Sequence, residues 1–463
     1  MDIPAVILIV LDTMRNDVLD DHSSGPSTPS INEFSSKATV FRRTVSPAPW
    51  TLPSHASIFT GKYPSTHGIH QTYEIKSDEL IMHPIRDYPE KLLTEHLHKI
   101  GFNCIGVSAN SFISNGSGFE RGFDYFRDVP YNGVDSSELE SLRREIQAEL
   151  DAKFDISLIR AAAQLVYKGK IPSLARLYKR YREVSKRIEL SGYPIQKGGG
   201  EIVRMIENGT FETPLFFFAN LMEMHDPYLR SETGNIFSID SNNMMLSDLL
   251  HISKIPEAKM KRIRDAYYSR ASVIDIHFGN IMNDLKRLGL YDKSLIIATS
   301  DHGQSLHENG FYGHGIYLYD ELIRVPLIIK FPEGLEPDMT QGYMSSTSIG
   351  DIIMRTIEGE KGVENLLYDT VFSEDYGIQH GLQNIMANAN LEAVARRQEI
   401  DVPRKAVFKG DYKLVINGAS GEVEEFTFNG KKADSVKYRT VLQDLSEELE
   451  IFKGREKFQL ADY

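Results

Sequence analysis

Residues 5–17 read Ala-Val-Ile-Leu-Ile-Val-Leu-Asp-Thr-Met-Arg-Asn-Asp, an apolar run that ends abruptly in polar residues. A short, continuous apolar run rich in branched side chains is typical of a strand buried on both faces of a parallel sheet. Asp12 follows this strand directly, and the carboxyl ends of parallel strands form the usual ligand-binding edge of such sheets. The stretch therefore predicts a central strand with a candidate site residue at its end. The alternative is that Asp12 only caps the next helix.

Similar apolar runs alternate with helical segments along the chain. Strands are predicted at residues 39–44, 104–109, 214–221, 294–299 and 325–330, and helices at 30–38, 88–101 and 260–288. This alternation predicts an α/β protein with a parallel sheet and helices on both faces, a three-layer α/β/α core.

The domain organisation follows from changes in composition. Residues 1–383 are predicted to form the catalytic domain, with a charged helical insertion at about 135–208. Short alternating segments separated by Gly-Asp and Asn-Gly turns, followed by a charged segment at 435–452, predict a small C-terminal antiparallel subdomain with a helix at 384–463.

The overall charge excludes some classes of partner. Lys and Arg number 52 and Asp and Glu 65, a formal net charge of −13, which argues against general binding of nucleic acid or anionic membranes. The single cysteine, Cys104, allows no internal disulfide and lies in a predicted strand. No apolar run reaches the roughly 20 residues that span a bilayer, and no signal-peptide pattern follows Met1. The expectation is a cytoplasmic protein.

Residues 48–61 read Ala-Pro-Trp-Thr-Leu-Pro-Ser-His-Ala-Ser-Ile-Phe-Thr-Gly. Pro53 suits the first turn of a helix, which places Thr51 just ahead of a helix N-terminus. Free N–H groups and the helix dipole favour an anion there, so the Thr51 hydroxyl is a candidate nucleophile on an anionic ester. The alternatives are a capped helix in a loop, or Ser54 as the nucleophile.

A metal site is predicted at the same edge of the sheet. Asp301 and His302 follow the predicted strand 294–299, and with Asp12 they offer two carboxylates and an imidazole. This mixture of hard and borderline ligands suits a divalent cation, and the Thr51 hydroxyl could complete the set. A cation bound there would lower the pKa of the hydroxyl and make it a nucleophile.

Other polar residues are predicted to face this centre. His225 and His314 lie on loops that can reach the same edge, where they could bind substrate oxygens or protonate a leaving group. They are the catalytic candidates beside Thr51. Arg15, His55 and Asn110 are expected as substrate contacts, and His55 could also orient Thr51.

In combination and order, these motifs resemble the sulfatase branch of the alkaline phosphatase superfamily, from residue 5 to about 335. The resemblance implies the three-layer fold, hydrolysis of an ester, a bound metal ion and the site roles given above. It rests on the segments Val10–Asp17, Thr28–Asn32, Ala48–Gly61, His225–Tyr228, Asp301–Gln304, Gly313–Gly315, Tyr319–Glu321 and Arg324–Pro326.

The nucleophile segment departs from the pattern of that branch. Its sulfatases use Cys-x-Pro-x-Arg, whose cysteine becomes formylglycine, whereas this chain has Thr51-Leu52-Pro53-Ser54-His55. The formylglycine hydrate has two hydroxyls and expels sulfate by elimination. A sulfo-threonine would need direct attack by water, and threonine members of the superfamily form phospho-threonine. The departure favours phosphate esters.

Two further departures concern the metal. Histidine stands at 314, where many sulfatases carry lysine, so a second metal is conceivable if His225, Asp226 and His314 meet, although one metal is simpler. Thr13 stands where sulfatases often have another aspartate ligand. One carboxylate fewer favours manganese over calcium, with magnesium and zinc as further alternatives.

The sequence therefore predicts a metal-dependent hydrolase of phosphate or sulfate esters with a threonine nucleophile, with phosphodiesters or phosphomonoesters favoured. The expected substrate is a small-molecule, glycan or lipid-linked anionic ester. Three alternatives stay open: a sulfuric ester hydrolase, a phosphoglycerol-type phosphotransferase, and a non-catalytic binding protein that keeps the fold.

Overall fold

The computed structural model describes most of the 463-residue chain. The described residues are 4–19, 28–70, 85–129, 167–170, 172–173, 176–179, 197–228, 245, 248–250, 254–337, 340–360, 363–378 and 391–459. Most of the predicted insertion at 135–208 lies outside them.

A seven-stranded sheet forms the centre of the fold, with strand order β2-β10-β7-β1-β6-β4-β5. Its strands are β1 (Ala5–Leu11), β2 (Thr39–Val40), β4 (Asn103–Ser108), β5 (Tyr125–Asp128), β6 (Leu215–Leu221), β7 (Leu295–Thr299) and β10 (Leu327–Lys330). The central strand β1 is buried along its whole length and runs parallel to β6 and β7. Because Leu11 pairs with Leu221 and Val10 with Thr299, all three strands end at one edge.

Helices cover both faces of this sheet. The helices are α1 (Pro29–Ser35), α2 (Thr51–Thr60), α3 (Pro64–His67), α4 (Leu93–Lys99), α5 (Gly199–Glu207), α6 (Glu257–Arg287), α7 (Asp320–Ile323), α8 (Ile349–Ile357), α9 (Leu391–Ile400) and α10 (Arg439–Gln459). Alternate residues of β1 face opposite layers. Ile7 and Ile9 pack with α1, α5 and α6, while Val6 and Leu8 pack with α2, α4 and α8. The three-layer core that the sequence predicts is therefore present.

The sheet is mixed, which corrects the prediction that it is parallel. β10 runs antiparallel to β7, and β2 runs antiparallel to β10. Between β7 and β10 the chain forms the short pair β8 (Ser305–Leu306) and β9 (Tyr312–Gly313) and the single turn of α7. A parallel neighbour usually needs a crossover helix, whereas the helical part of this connection is only the single turn of α7, and the chain returns alongside β7 in the opposite direction.

A second, five-stranded antiparallel sheet lies toward the C-terminus. It contains β12 (Thr370–Asp375), β13 (Arg404–Lys409), β14 (Tyr412–Asn417), β15 (Val423–Phe428) and β16 (Lys431–Lys432), and α10 packs on it. The sheet begins upstream of the predicted boundary at 384 because β12 pairs with β13 over six residues. A further small pair joins β3 (Thr44–Val45) to β11 (Met344–Ser345). Among the described residues, no helix is both long and apolar enough to cross a membrane.

His67, at the end of α3, gives the fold a measurable acid sensitivity. Its Nδ1 accepts a hydrogen bond from the Ile69 N–H at 2.9 Å, so Nε2–H donates to the Ser57 hydroxyl at 3.0 Å. Burial lowers the pKa of His67 to about 3. The unfolded chain takes up this proton near pH 6.5 and the native chain does not, so stability falls as the pH drops below 6.5. We expect a loss of about 1.4 kcal/mol per pH unit from this group.

Urea denaturation of the metal-loaded protein between pH 7 and 5 measures this loss. In the His67→Gln variant, the slope of the unfolding free energy against pH should be smaller by one proton. His96→Gln, at an exposed position of α4, should keep the wild-type slope. Equal slopes for all three proteins would show that His67 is not the acid-sensitive group.

Candidate active site

Two carboxylates and an imidazole meet where β1 and β7 end. Asp12, Asp301 and His302 each offer one ligand atom, and these atoms lie within 4.8 Å of one another. All three side chains are fully buried. The parallel register of β1 and β7 brings together residues almost 290 positions apart in sequence.

The donor atoms of this group fit a divalent cation. Asp12 Oδ1 and Asp301 Oδ2 are buried and have no hydrogen-bond partner among the described residues. The His302 ring donates from Nδ1–H to the Gly303 carbonyl at 2.8 Å, which leaves a lone pair on Nε2. Burial raises the pKa of both carboxyls, and the Asp301 charge raises that of Asp12 further. A bound cation would satisfy all three atoms and stabilise both charges.

Neighbouring amides hold the remaining carboxylate oxygens. Asp301 Oδ1 accepts hydrogen bonds from the Thr13 N–H at 3.2 Å and the His302 N–H at 2.9 Å. Asp12 Oδ2 accepts from Asn110 Nδ2 at 2.8 Å and Asn220 Nδ2 at 3.3 Å. Each carboxylate therefore has one oxygen fixed by the protein and one available to a ligand.

The Thr51 hydroxyl lies beside this group. Its Oγ1 is 3.2 Å from His302 Nε2, and the residue is almost fully buried. Thr51 is the first residue of α2, whereas the sequence predicted that it would precede the helix. Ser54, the alternative nucleophile, donates to the Ala48 carbonyl at 2.9 Å and lies 3.1 Å from the Ser46 hydroxyl. Of these two hydroxyls, the Thr51 hydroxyl is the one next to the ligand group.

His55 is bound to protein groups on both ring nitrogens. Asn220 Nδ2 donates to Nε2 at 3.2 Å, so Nδ1 carries the proton and donates to the Thr51 carbonyl at 2.9 Å. Nδ1 also lies 3.5 Å from Asp301 Oδ2. The substrate contact predicted for His55 stays a prediction. Its contacts place it to orient Thr51 and Asp301.

Arg15 and Asn110 are likewise engaged with the protein. Arg15 forms a two-pronged ion pair with Asp17, a second ion pair with Glu308 and a hydrogen bond to the Gln304 carbonyl. Asn110 donates to Asp12 and accepts from the Phe112 N–H at 2.9 Å. Both side chains therefore support the site through contacts with the protein, and their contact with substrate stays a prediction.

His225 and His314 face each other with opposite charge preferences. Their ring centroids are 5.0 Å apart, and His314 lies 4.6 Å from the His302 ring. Burial opposes a charge on His225, but the adjacent Asp226 carboxylate, 2.9 Å from Nδ1, and the Asp12 charge raise its pKa to about 9. Burial and the neighbouring imidazoles hold the pKa of His314 well below its ordinary value.

The hydrogen bonds of the two rings show whether the free nitrogen of each ring is a donor or an acceptor. His225 Nδ1–H is directed to the carbonyl and carboxylate of Asp226, so Nε2–H is a donor. His314 Nδ1–H donates to Gln304 Oε1 at 2.7 Å, so Nε2 is an acceptor. Two titratable groups whose pKa values are pushed apart are the usual sign of an acid and a base.

Asn220, Gln304 and Lys197 belong to this site but were not predicted. Asn220 lies near the end of the predicted strand 214–221, and Gln304 lies shortly after the predicted strand 294–299, so their positions near strand ends were a usable signal. Lys197 is fully buried, and its Nζ donates to the His225 carbonyl. The run of three glycines that follows it is a signal of close backbone approach.

Comparison with known proteins identifies the family of this chain. The Sulfatase family model matches residues 4–358. An ulvan-active sulfatase from Formosa agariphila is 22% identical over 424 residues, which cover 88% of this chain and 69% of that protein.

Solved structures share the fold over most of the chain. A putative sulfatase from Bacteroides thetaiotaomicron has a TM-score of 0.64 at 13% identity and covers 100% of this chain and 94% of that one. A phosphonate monoester hydrolase from Silicibacter pomeroyi has a TM-score of 0.60 at 15% identity, with 98% and 95% covered. Because the family model covers more than half of the chain, the protein belongs to the sulfatase family of ester-hydrolysing enzymes.

Proposed function

We propose that the protein hydrolyses phosphate esters by double displacement, with Thr51 as the nucleophile. The observation that carries the proposal is the Thr51 hydroxyl 3.2 Å from His302 Nε2, beside two buried carboxylate oxygens that have no hydrogen-bond partner in the described part of the chain. Asp12, Asp301 and His302 would hold one divalent cation, with Thr51 next to it, and manganese is the favoured ion. Such a cation lowers the pKa of a coordinated hydroxyl and neutralises charge on a phosphoryl group.

The protein groups then account for both displacements. In the first, the Thr51 hydroxyl loses its proton to water, its oxygen forms a bond to phosphorus, the bond to the leaving oxygen breaks, and His225 Nε2–H donates a proton to that leaving oxygen. In the second, water attacks phospho-threonine and the bond between phosphorus and the Thr51 oxygen breaks. The neutral His314 Nε2 accepts a proton from the water and passes it to the released Thr51 oxygen, and His225 regains its proton from solvent. The pKa of His225, raised to about 9, and the lowered pKa of His314 support these roles.

Sulfate ester hydrolysis is the second candidate. It is supported by the match to a sulfatase over 88% of this chain. Against it stands the single hydroxyl of Thr51, which cannot expel sulfate by the elimination open to a formylglycine hydrate.

A substrate panel separates the two functions. Aryl esters of sulfate, phosphate, a phosphodiester and a phosphonate are compared with and without manganese. The proposal expects metal-dependent turnover of one or more phosphorus esters and a phosphorylated peptide containing Thr51 after acid quenching. Turnover of the sulfate ester alone would overturn it. Product analysis with glycerol present separates a hydrolase from a transferase.

The charge on His225 predicts the alkaline limit of activity. Because the Asp226 carboxylate keeps the imidazole protonated up to about pH 9, kcat/KM should fall above that pH as the acid is lost. His225→Asn should lower kcat/KM for an alkyl ester by about 10²- to 10⁴-fold, the usual contribution of a general acid, and should remove the alkaline limb. The loss should be smaller for a nitrophenyl ester, whose leaving oxygen needs no proton.

Rate profiles from pH 7 to 10.5 for both esters test this role. His96→Asn, on the exposed face of α4, serves as the matched control and should reproduce the wild-type profile. Equal losses for the alkyl and nitrophenyl esters would exclude His225 as the acid.

A further inference from the structure

Lys197 places a positive charge in the interior next to His225. The side chain is fully buried, Nζ donates to the His225 carbonyl, and the Tyr228 ring centroid lies 5.4 Å away. An ammonium has three N–H donors. Within the part of the chain that the structure describes, Nζ has no carboxylate within ion-pair distance, so the buried cation lacks a counter-ion there.

The charges around Lys197 belong to the active site. Burial and Arg270 disfavour the ammonium, whereas Asp226, Glu223 and Asp12 favour it, and the resulting pKa is about 7. Glu223 is occupied in another way, because its Oε1 accepts the Gly199 N–H at 3.0 Å. Lys197 is therefore within electrostatic reach of a metal-ligand candidate and of the His225–Asp226 pair, but it forms no ion pair with them.

The backbone after Lys197 is fixed by close packing. Gly198 has a φ of +95°, and a Cβ there would lie 2.7 Å from the Ala109 Cβ. A Cβ on Gly199 would lie 2.6 Å from Glu223 Oε1. Both contacts are with residues at the ends of β4 and β6, so the lysine is held against the ligand-binding edge of the sheet.

We propose that Lys197 binds a non-bridging oxygen of the substrate's anionic group beside His225, as a second fixed cation of a one-metal site. This inference rests on the proposed function and names a further substrate-binding residue for it. Burying a cation without a counter-ion destabilises a protein, and an anionic substrate would supply the missing partner. A phosphate or sulfate group presents non-bridging oxygens that accept charge-assisted hydrogen bonds.

The same cation disfavours a second metal ion. His225, Asp226 and His314 offer ligand atoms within 4.8 Å of one another, which alone would suit a metal. However, the Lys197 ammonium contacts the carbonyl of His225, and like charges repel strongly in a buried site. We therefore expect one divalent ion per chain.

Lys197→Met tests the inference because it keeps the length of the side chain and removes the charge. The matched control is Lys330→Met: Lys330 Nζ also donates to a carbonyl, that of Asp292 at 2.6 Å, and lies 5.2 Å from the Tyr291 ring. In the central sheet, Lys330 of β10 lies opposite Ile296, near the start of β7 and away from the site.

Inorganic phosphate and sulfate are titrated calorimetrically into the manganese-loaded proteins, and steady-state kinetics are measured in parallel. Lys197→Met should weaken binding of the anion that wild type binds, and raise KM, by about 10- to 100-fold, the usual effect of losing a hydrogen bond to a charged group. The drop in kcat should be smaller. The melting temperature of Lys197→Met should equal or exceed that of wild type, because the substitution removes a buried charge. Lys330→Met should retain wild-type anion affinity.

Three results would overturn the inference: unchanged anion affinity in Lys197→Met, an equal loss in Lys330→Met, or two manganese ions per wild-type chain by elemental analysis. Lys197→Gln replaces Lys197→Met if circular dichroism shows the latter unfolded. Anion binding needs no turnover, so the two proposals fail separately. Absence of turnover by wild type counts against the proposed function, and unchanged phosphate and sulfate affinity counts against Lys197.

Discussion

Thr51→Ala is expected to lower kcat/KM by about 10⁴-fold or more for every ester that the protein hydrolyses, as removal of an enzyme nucleophile typically does. The hydroxyl lies 3.2 Å from His302 Nε2, and alanine offers no oxygen to attack phosphorus or sulfur. Steady-state kinetics with the manganese-loaded protein measure the loss. The covalent intermediate should disappear from acid-quenched samples at the same time.

The controls for Thr51 separate chemistry from folding. Thr51→Ser keeps a hydroxyl and should retain measurable activity and a covalent intermediate, now on serine. Ser54→Ala removes the hydroxyl that donates to the Ala48 carbonyl, and should lower stability by about 1 kcal/mol while leaving the intermediate on Thr51. A Thr51→Ala protein with full metal-dependent activity would show that the nucleophile is another group.

Asp12→Asn is expected to abolish metal binding and to stabilise the metal-free protein. In wild type, Asp12 and Asp301 bring two buried carboxylates together, and burial raises the pKa of each because the charged forms are disfavoured. A cation at about 1,000 times its Kd should stabilise wild type by about 4 kcal/mol. The variant should lack this metal-dependent gain, and its metal-free form should melt above metal-free wild type because one unpaired charge is gone.

Thermal melting with manganese or with chelator measures both effects. Asp275→Asn is the matched control because Asp275 is also buried, but its two oxygens accept the backbone N–H groups of Ser30 and Ile31. That variant should be less stable than wild type in both conditions and should keep the full manganese shift. A manganese shift of wild-type size in Asp12→Asn would mean that the cation binds elsewhere.

Strand ends were the part of the site that could be predicted from sequence. The apolar run 5–11 coincides with β1, and the burial of all seven residues explains why the pattern was unambiguous. Since parallel neighbours end at one edge, placing Asp12 and Asp301 after strands was sufficient to predict that they would meet. The prediction of a parallel sheet failed at β10 because local pattern carries no strand direction.

Contacts between residues that are far apart in the sequence could not be predicted. Arg15 was expected to contact substrate, yet its guanidinium is paired with Glu308, 293 residues away. His55 was expected near the substrate, but Asn220 and the Thr51 carbonyl occupy its two nitrogens. Lys197 lies within the predicted helical insertion, and its position depends on glycines that fit against Ala109 and Glu223.

The sequence by itself determined the layered core and the candidate ligands Asp12, Asp301 and His302, together with the candidate nucleophile Thr51. Those features are local, because a short apolar run predicts a strand and a polar residue directly after it lies at the edge of the sheet. The tertiary structure alone decided which polar groups are already paired and which remain available. It brought Lys197 to the site and gave His225 and His314 opposite preferences for the charged form. Burial and neighbouring charges from distant parts of the chain set the pKa of each of these groups.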